Sequence, residues 1–307
     1  MAAAQNRNGL THDPRLLAGV AGGLVSALAA LWAFRGLPMG LGLFWLSPLP
    51  LFLAGLGFGK VAGGIAVGTG ALALFLVQPG FLTALLWLGL YGVPVLLLLG
   101  LGLREQAPRI DTGLPLAALG LWPAALTLLA TILSAEAGGL EAVLRAAVAL
   151  GLERMGTDAP EAVVTQIVRL QAAALALWLG LALVANAAAA QGFLQRRKLA
   201  LAPAPAWRES RLPRWYPALP GLAALAWVAS GSESSLLPLS LCLVLAVPLV
   251  LQGLAAMHRR LATFSGRLPL LILFYVLILV FSLPGALILV ALGLLEQYGR
   301  RNPPANM

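Results

Sequence analysis

Long apolar runs recur along the whole chain and constrain its fold more than any other feature. They cover Leu16–Phe34, Leu37–Phe58, Val61–Val77, Phe81–Leu103, Leu114–Leu133, Ile167–Phe193, Tyr216–Ser230, Leu236–Met257 and Leu268–Leu295. Crossing a hydrocarbon core of about 30 Å takes roughly 17 to 25 helical residues, and most of the runs have that length. Inside lipid every backbone polar group must be satisfied within the spanning structure, which leaves helices or closed barrels. Barrel strands read as short alternating segments, and the sequence contains none. Composition agrees, with 60% hydrophobic and 10% charged residues against about 25% charged in an average soluble domain. The expectation is an all-α, polytopic transmembrane helical bundle. Leu16–Phe34 is too long for the apolar region of a cleaved signal peptide and another run follows at once, so it counts as the first span.

The net charge of +9 is an orientation signal rather than a nucleic-acid footprint, because lysine and arginine collect in cytoplasmic loops. With the N-terminus inside, the cytoplasmic side receives Arg7, Arg15, Lys60, Arg104 and Arg109, then Arg196, Arg197, Lys198, Arg208, Arg211 and Arg214, then Arg259, Arg260 and Arg267. These are most of the 20 lysines and arginines. The other side holds Arg35, Arg145, Arg154 and Arg169. Arg300 and Arg301 depend on the last run, which at 1.5 Å per residue is about 42 Å long and is interrupted by "FSLPG" around Pro284. A single tilted helix would leave them outside, whereas a shallow hairpin would return them to the cytoplasm, as the charge rule favours. The count is therefore nine or ten membrane helical segments.

Five spans form an N-terminal membrane half, residues 16–134, after a cytoplasmic tail, 1–15. Residues 135–158 form an extracytoplasmic segment in which Leu140, Val143, Leu144, Ala147, Val148 and Leu152 recur at helical spacing, with Glu141, Arg145 and Glu153 on another face. This pattern predicts one amphipathic helix on the outer membrane surface, either a connector or a lid over an outward-facing cavity. The C-terminal membrane half, 159–301, precedes a short tail, 302–307. It opens on "TDAPEAVV", where Asp158, Pro160 and Glu161 are placed as in a capping box. Helical character then persists to about Lys198, giving a helix of roughly 60 Å that should project from the membrane. The loop 195–215 is basic and proline-punctuated, and Trp207, Trp215 and Tyr216 suit the headgroup level beside anionic lipid.

"GLGFGKVAGGIAVGTG", Gly55 to Gly70, puts a lysine among glycines, as a nucleotide-phosphate cradle does. That cradle requires G-x-x-x-x-G-K-[ST]. Five positions before Gly59 stands Ala54, and Val61 follows Lys60, so two requirements fail. G-x-G-x-x-G fails as well. The glycines instead continue a small-residue pattern: Ala18, Gly22, Ser26 and Ala30 stand four apart in the first span, and Gly59, Gly63, Gly64 and Gly68 repeat the spacing across the second turn. Small residues at this spacing let membrane helices approach closely.

Residues for enzyme chemistry are sparse. Cys242 is the single cysteine, the histidines are His12 and His258, and H-x-x-x-H and G-x-S-x-G are absent. No enzyme activity, metal or cofactor is expected. Polar residues inside the runs are Gln78, Asn186, Gln191, Cys242, Gln252, Tyr275 and Ser282. Asn186, Gln252 and Tyr275 are the candidates to line a substrate pocket. No run contains a charge pair of the kind that marks a proton or ion relay, which argues against a proton-coupled pump.

The order "LFWLSPLPLFLAGLGFGKVAGGIAVGTG", with "LQGLAAMHRR" and "GALILVALGLLEQYGRR" near the end, resembles the YybS-like family of uncharacterised bacterial membrane proteins. That family's tail carries a glycine, an aspartate three residues later and a nearby arginine. Gly293, Glu296 and Arg300 occupy those places here, with glutamate for aspartate. The resemblance implies a multi-pass protein of the bacterial cytoplasmic membrane, distantly similar to substrate-binding subunits of energy-coupling-factor vitamin transporters and to MreD-type shape proteins. It implies one of two functions: a small-molecule transporter or substrate-binding subunit, with an energising partner, or a non-transporting scaffold of the cell envelope. Membrane lipids are partners in either case, and nucleic acid in neither.

Overall fold

A computed structural model describes residues 13–78, 80–231 and 236–299, the side chain of Arg208 excepted. The chain is nearly all-α. Its helices are α1 (Pro14–Phe34), α2 (Gly40–Leu46), α3 (Pro48–Phe58), α4 (Lys60–Val77), α5 (Leu82–Trp87), α6 (Val93–Gly102), α7 (Gly113–Leu133), α8 (Gly139–Arg154), α9 (Glu161–Arg196), α10 (Ala218–Ala229), α11 (Leu236–Leu261), α12 (Arg267–Val280) and α13 (Ser282–Tyr298). A π-helical turn, Leu88–Gly92, joins α5 to α6. Two short antiparallel strands, β1 (Leu103–Arg104) and β2 (Arg109–Ile110), set Leu103 opposite Ile110.

Among the described residues, seven helical stretches are long and apolar enough to cross a membrane: α1, α2 with α3, α4, α5 through α6, α7, α9 and α11. The chain is thus a multi-pass membrane protein by the length and composition of its helices. Helices α10, α12 and α13 are apolar but shorter, with 12, 14 and 17 residues. At 1.5 Å per residue they reach about 18, 21 and 26 Å, less than the hydrocarbon core. The last apolar run is two helices. Its break falls at Phe281, whose φ of −108° and ψ of 54° are non-helical, and Gly285 packs against Ile278 across the bend.

The chain divides into two compact units. The first holds residues up to Asp111 together with Leu181–Pro205, and the second holds Thr112–Gly180 and the chain from Ala206 onward. Helix α9, 36 residues and about 54 Å long, contributes its beginning to the second unit and its end to the first. It starts at Glu161, so Asp158 lies before the helix rather than capping it.

In the first unit α1 packs on α3 and α4. A Cβ on Gly23 would fall 2.3 Å from the Ala66 carbonyl, one on Gly19 2.7 Å from Ile65, and one on Gly22 2.9 Å from the Pro50 carbonyl. Helices in lipid gain little from burying apolar surface against each other, so close van der Waals approach over small residues supplies the attraction. Ala18 is half-buried and Ser26 fully buried. Gly63 meets Leu99, but Gly64 and Gly68 are exposed with nothing within 4 Å of a Cβ. The spacing of four continues through them, yet 3.6 residues per turn rotates them off the contact stripe.

Ser26 does more than keep the helices close. Its hydroxyl donates to the Ser47 carbonyl at 2.6 Å, Ser47 Oγ returns a bond to the Ser26 carbonyl at 3.1 Å, and Trp87 Nε1 donates to Ser47 Oγ at 3.0 Å. This buried node lies where Pro48 and Pro50 deprive the α2–α3 junction of backbone donors. Lys60 begins α4 after Gly59, which turns the chain at φ 101°. Its backbone N–H donates to Glu105 Oε1 at 2.7 Å and its Nζ to the Gly100 carbonyl at 3.0 Å. A carboxylate caps one helix N-terminus and an ammonium caps the last turn of another, as their dipoles require.

In the second unit α11 is the centre, packed by α7, α10 and α13. Tyr216 is fully buried with Ala117, Leu212 and Leu249, and its hydroxyl donates to the Leu245 carbonyl at 3.0 Å. Gly120 leaves room for that hydroxyl, since a Cβ there would fall 2.1 Å from it. Tyr216 is therefore a core residue and not a headgroup anchor; Trp215, half-exposed, keeps the exposure expected of one. Helix α8 buries Leu140 and Val148, and Arg145 ties it to its own Glu141 and to Glu161 of α9. Hydrogen bonding to Glu141 and the charge of Glu161 hold the Arg145 guanidinium even higher than its usual range.

Candidate functional site

The second unit gathers polar side chains where the C-terminal ends of α11 and α13 meet. Helix α11 ends in "QGLAAMHRRL", and positions 252, 256 and 259 recur at helical spacing toward α13. Gly253 and Gly293 let the two helices come together: a Cβ on Gly253 would sit 2.1 Å from the Leu289 carbonyl, and one on Gly293 2.3 Å from the Leu249 carbonyl. Close approach then brings long side chains face to face.

Two polar connections result. Gln252 is 1% exposed. Its Nε2 donates to Gln297 Oε1 at 3.1 Å, and Gln297 Nε2 donates to the Leu212 carbonyl at 2.8 Å. The chain links α11, α13 and the loop before α10. Gln252 Oε1 has no hydrogen-bond partner among the described residues. Beside this chain Arg259 and Glu296 form an ion pair in which the carboxylate side chain is 7% and the guanidinium 24% exposed. The pair lies just beyond the ends of two apolar runs, Arg259 after Met257 and Glu296 after Leu295. Its members stand 37 positions apart at the ends of their runs, and only the α11–α13 packing carries them together. Neither partner lies inside a run, so the reading that no run holds a charge pair is unchanged.

Helix α12 adds a third edge. His258 Nδ1 lies 3.0 Å from the Leu254 carbonyl, a contact that requires the Nδ1–H tautomer when the ring is neutral. Nε2 is then an acceptor, and Tyr275 Oη stands 3.4 Å from it. Tyr275 is half-exposed beside the His258 ring.

Of the residues singled out from sequence, Gln252, Tyr275, Gly293 and Glu296 are all in the second unit, and the pocket and tail candidates there belong to one cluster. Glu296 pairs with Arg259. Arg300, the third residue of the tail pattern, lies outside the described residues. Asn186 belongs to the first unit, where its Nδ2 donates to the Trp45 carbonyl at 2.8 Å and to its own helix at Ala182 at 2.7 Å. It holds α9 against the α2–α3 junction. Its Oδ1 is buried without a hydrogen-bond partner among the described residues. Gln191 likewise ties α9 to the following loop, donating to the Ala202 carbonyl at 2.6 Å.

Sequence reasoning missed Arg259 and Gln297. By position Arg259 belongs with the charges that set orientation, and its neighbour Arg260 is exposed as that reading requires. The usable signal is phase: Arg259 lies seven residues after Gln252, two helical turns along the same face.

No known protein-family model, no characterised protein and no solved structure matches this chain.

Proposed function

We propose that this protein binds or carries a small molecule in the bacterial cytoplasmic membrane, with its N-terminus in the cytoplasm, and that the cluster around Gln252, Arg259 and Glu296 is its binding site. The observation that carries the reading is a largely buried ion pair beside a buried amide with an unused acceptor, at the ends of two apolar helices. Replacing a buried ion pair by apolar packing is often neutral or stabilising by about 1–4 kcal/mol, so stability alone gives little reason for one. An ionisable residue in a membrane helix is by default a functional candidate.

In this reading α12 and α13 form a shallow hairpin that returns the C-terminus to the cytoplasmic side, and α8 lies on the outer surface. The resemblance to YybS-like proteins supports membership of a family similar to substrate-binding subunits of vitamin transporters. The chain carries no nucleotide-binding motif, so ATP, where used, is consumed by a partner. No catalysis and no nucleic acid enter.

The test is purification in mild detergent, a thermal-shift screen of vitamins, nucleobases, amino acids and lipid precursors, and mass spectrometry of whatever co-purifies. A reproducible ligand whose effect is lost in Gln252→Ala is expected. Absence of any ligand, with stable capture of cell-wall or division proteins through residues 195–215, would replace the carrier by an envelope scaffold.

A further inference from the structure

Arg211, Arg214, Arg260 and Arg267 of the second unit are exposed, and their guanidinium groups have no hydrogen-bond or ion-pair partner among the described residues. All four stand at the end of the unit where α11 and α13 finish. We infer that, whatever the Gln252 cluster binds, this end is a docking surface for anionic phospholipid. The headgroup phosphate pairs with the arginines and the acyl chains lie along α12.

Hydrogen bonds bring the four together. Arg211 and Arg214 flank Leu212, which is buried with Tyr216 and Leu249, and whose carbonyl accepts from Gln297 Nε2 of α13 at 2.8 Å. The Arg211 carbonyl would lie 2.7 Å from a Cβ on Gly113 at the start of α7. A loop fixed against three helices holds outward-facing arginines in set positions, so little further order is lost when a headgroup docks. Arg260 and Arg267 bound the turn between α11 and α12. There the Ala262 N–H donates to the Arg259 carbonyl and the Arg267 N–H to the Phe264 carbonyl, both at 3.2 Å. The Arg259–Glu296 pair and the Gln252–Gln297 bond then place turn and loop at one end of the unit.

The chemistry is that of a phosphate with hydrocarbon behind it. Guanidinium presents a planar fork that matches phosphate oxygens and is more weakly hydrated than an ammonium. Nearby carboxylates leave the charge in surplus: Glu296 is paired with Arg259, and Glu209, exposed two residues before Arg211, is one anion against four cations. Apolar surface begins directly after Arg267. Helix α12 buries none of its residues, and Leu268 and Leu279 are 66% and 82% exposed. Exposed Trp215 follows Arg214, and exposed Phe264 stands in the turn between Arg260 and Arg267. Aromatic side chains between cations and hydrocarbon mark the membrane interface, and basic surfaces at helix ends attract anionic headgroups. An acidic protein would match the charge and leave the adjoining apolar surface uncovered.

The experiment reconstitutes the full chain in phosphatidylcholine bilayers and titrates in phosphatidylglycerol or phosphatidylcholine brominated high on the acyl chain. Quenching at the site is read as the difference between the wild-type chain and Trp215→Phe. Phosphatidylglycerol should quench at the lower mole fraction, and added salt should narrow the gap, because exposed charges are screened. The double variants Arg211→Gln/Arg214→Gln and Arg260→Gln/Arg267→Gln should each lose preference for the anionic lipid, by about fivefold per arginine. Arg196→Gln/Arg197→Gln, the same change of charge in the first unit, should leave it unchanged. In detergent, phosphatidylglycerol should raise the thermal midpoint, and inorganic phosphate should not. Equal quenching by the two lipids overturns the site. An equal loss in Arg196→Gln/Arg197→Gln reduces it to diffuse attraction and overturns it as well. Stabilisation by inorganic phosphate, or displacement of the lipid by polyglutamate, would replace the phospholipid by a free anion or an acidic protein. The two-lipid and phosphate comparisons on the wild-type chain decide the matter even where a variant does not fold.

Discussion

Two glycines set how closely α11 and α13 approach, and through them a whole polar cluster. A side chain at Gly253 or Gly293 would meet a backbone carbonyl at 2.1 or 2.3 Å, and backbone cannot yield as a flexible side chain can. Gly253→Val and Gly293→Val should each destabilise the fold by at least the roughly 1–3 kcal/mol typical of overpacking, read as loss of a monodisperse peak in detergent chromatography. Gly64→Ala and Gly68→Ala should be neutral or slightly stabilising, because nothing lies within 4 Å of either Cβ and alanine gains up to about 1 kcal/mol over glycine in a helix. Gly64 and Gly68 stand in the same small-residue pattern as Gly63. Only their neighbours tell them apart, which is why spacing does not separate Gly64 and Gly68 from Gly63.

Helix ends show the same division at the scale of elements. That a turn falls at Gly59–Lys60 is legible, since a lysine interrupts an apolar run beside a glycine. That the turn is closed by Glu105, 45 residues away, is not, because the cap comes from the loop between β1 and β2. Glu105→Ala should lower the thermal midpoint by the equivalent of about 0.5–2 kcal/mol, the range for losing an N-terminal cap. The same substitution at Glu136, exposed in the turn before α8, should have little effect and serves as control. The last apolar run is the other case. Pro284 marks a disturbance in the sequence, but the break falls at Phe281, and Pro284 sits in the first turn of α13, where its missing donor costs nothing. A proline therefore located the interruption to within one turn without fixing its form.

For the whole molecule, topology is the property most open to test. Arg259 and Glu296 can pair only if the C-terminal ends of α11 and α13 lie on one side of their unit. With the basic loop in the cytoplasm, a cytoplasm-active reporter fused after residue 205 or at the C-terminus should give signal, and one near Gly156 should require an export-active reporter. Export of the C-terminal fusion would mean a single crossing by the last run.

The sequence by itself determined that this is a multi-pass helical membrane protein, because apolar length and the need to satisfy backbone groups in lipid admit almost no other solution. It also marked the ends of most helices, since glycine, proline and charge act within a turn or two of where they stand. Tertiary structure alone decided that Tyr216 is core, that α7 packs on α11, and that Arg259 meets Glu296. Those outcomes depend on which faces of distant helices come together. Helix–helix contact in lipid rests on shape and on a few polar bonds, whose partners leave no mark on each other's local sequence.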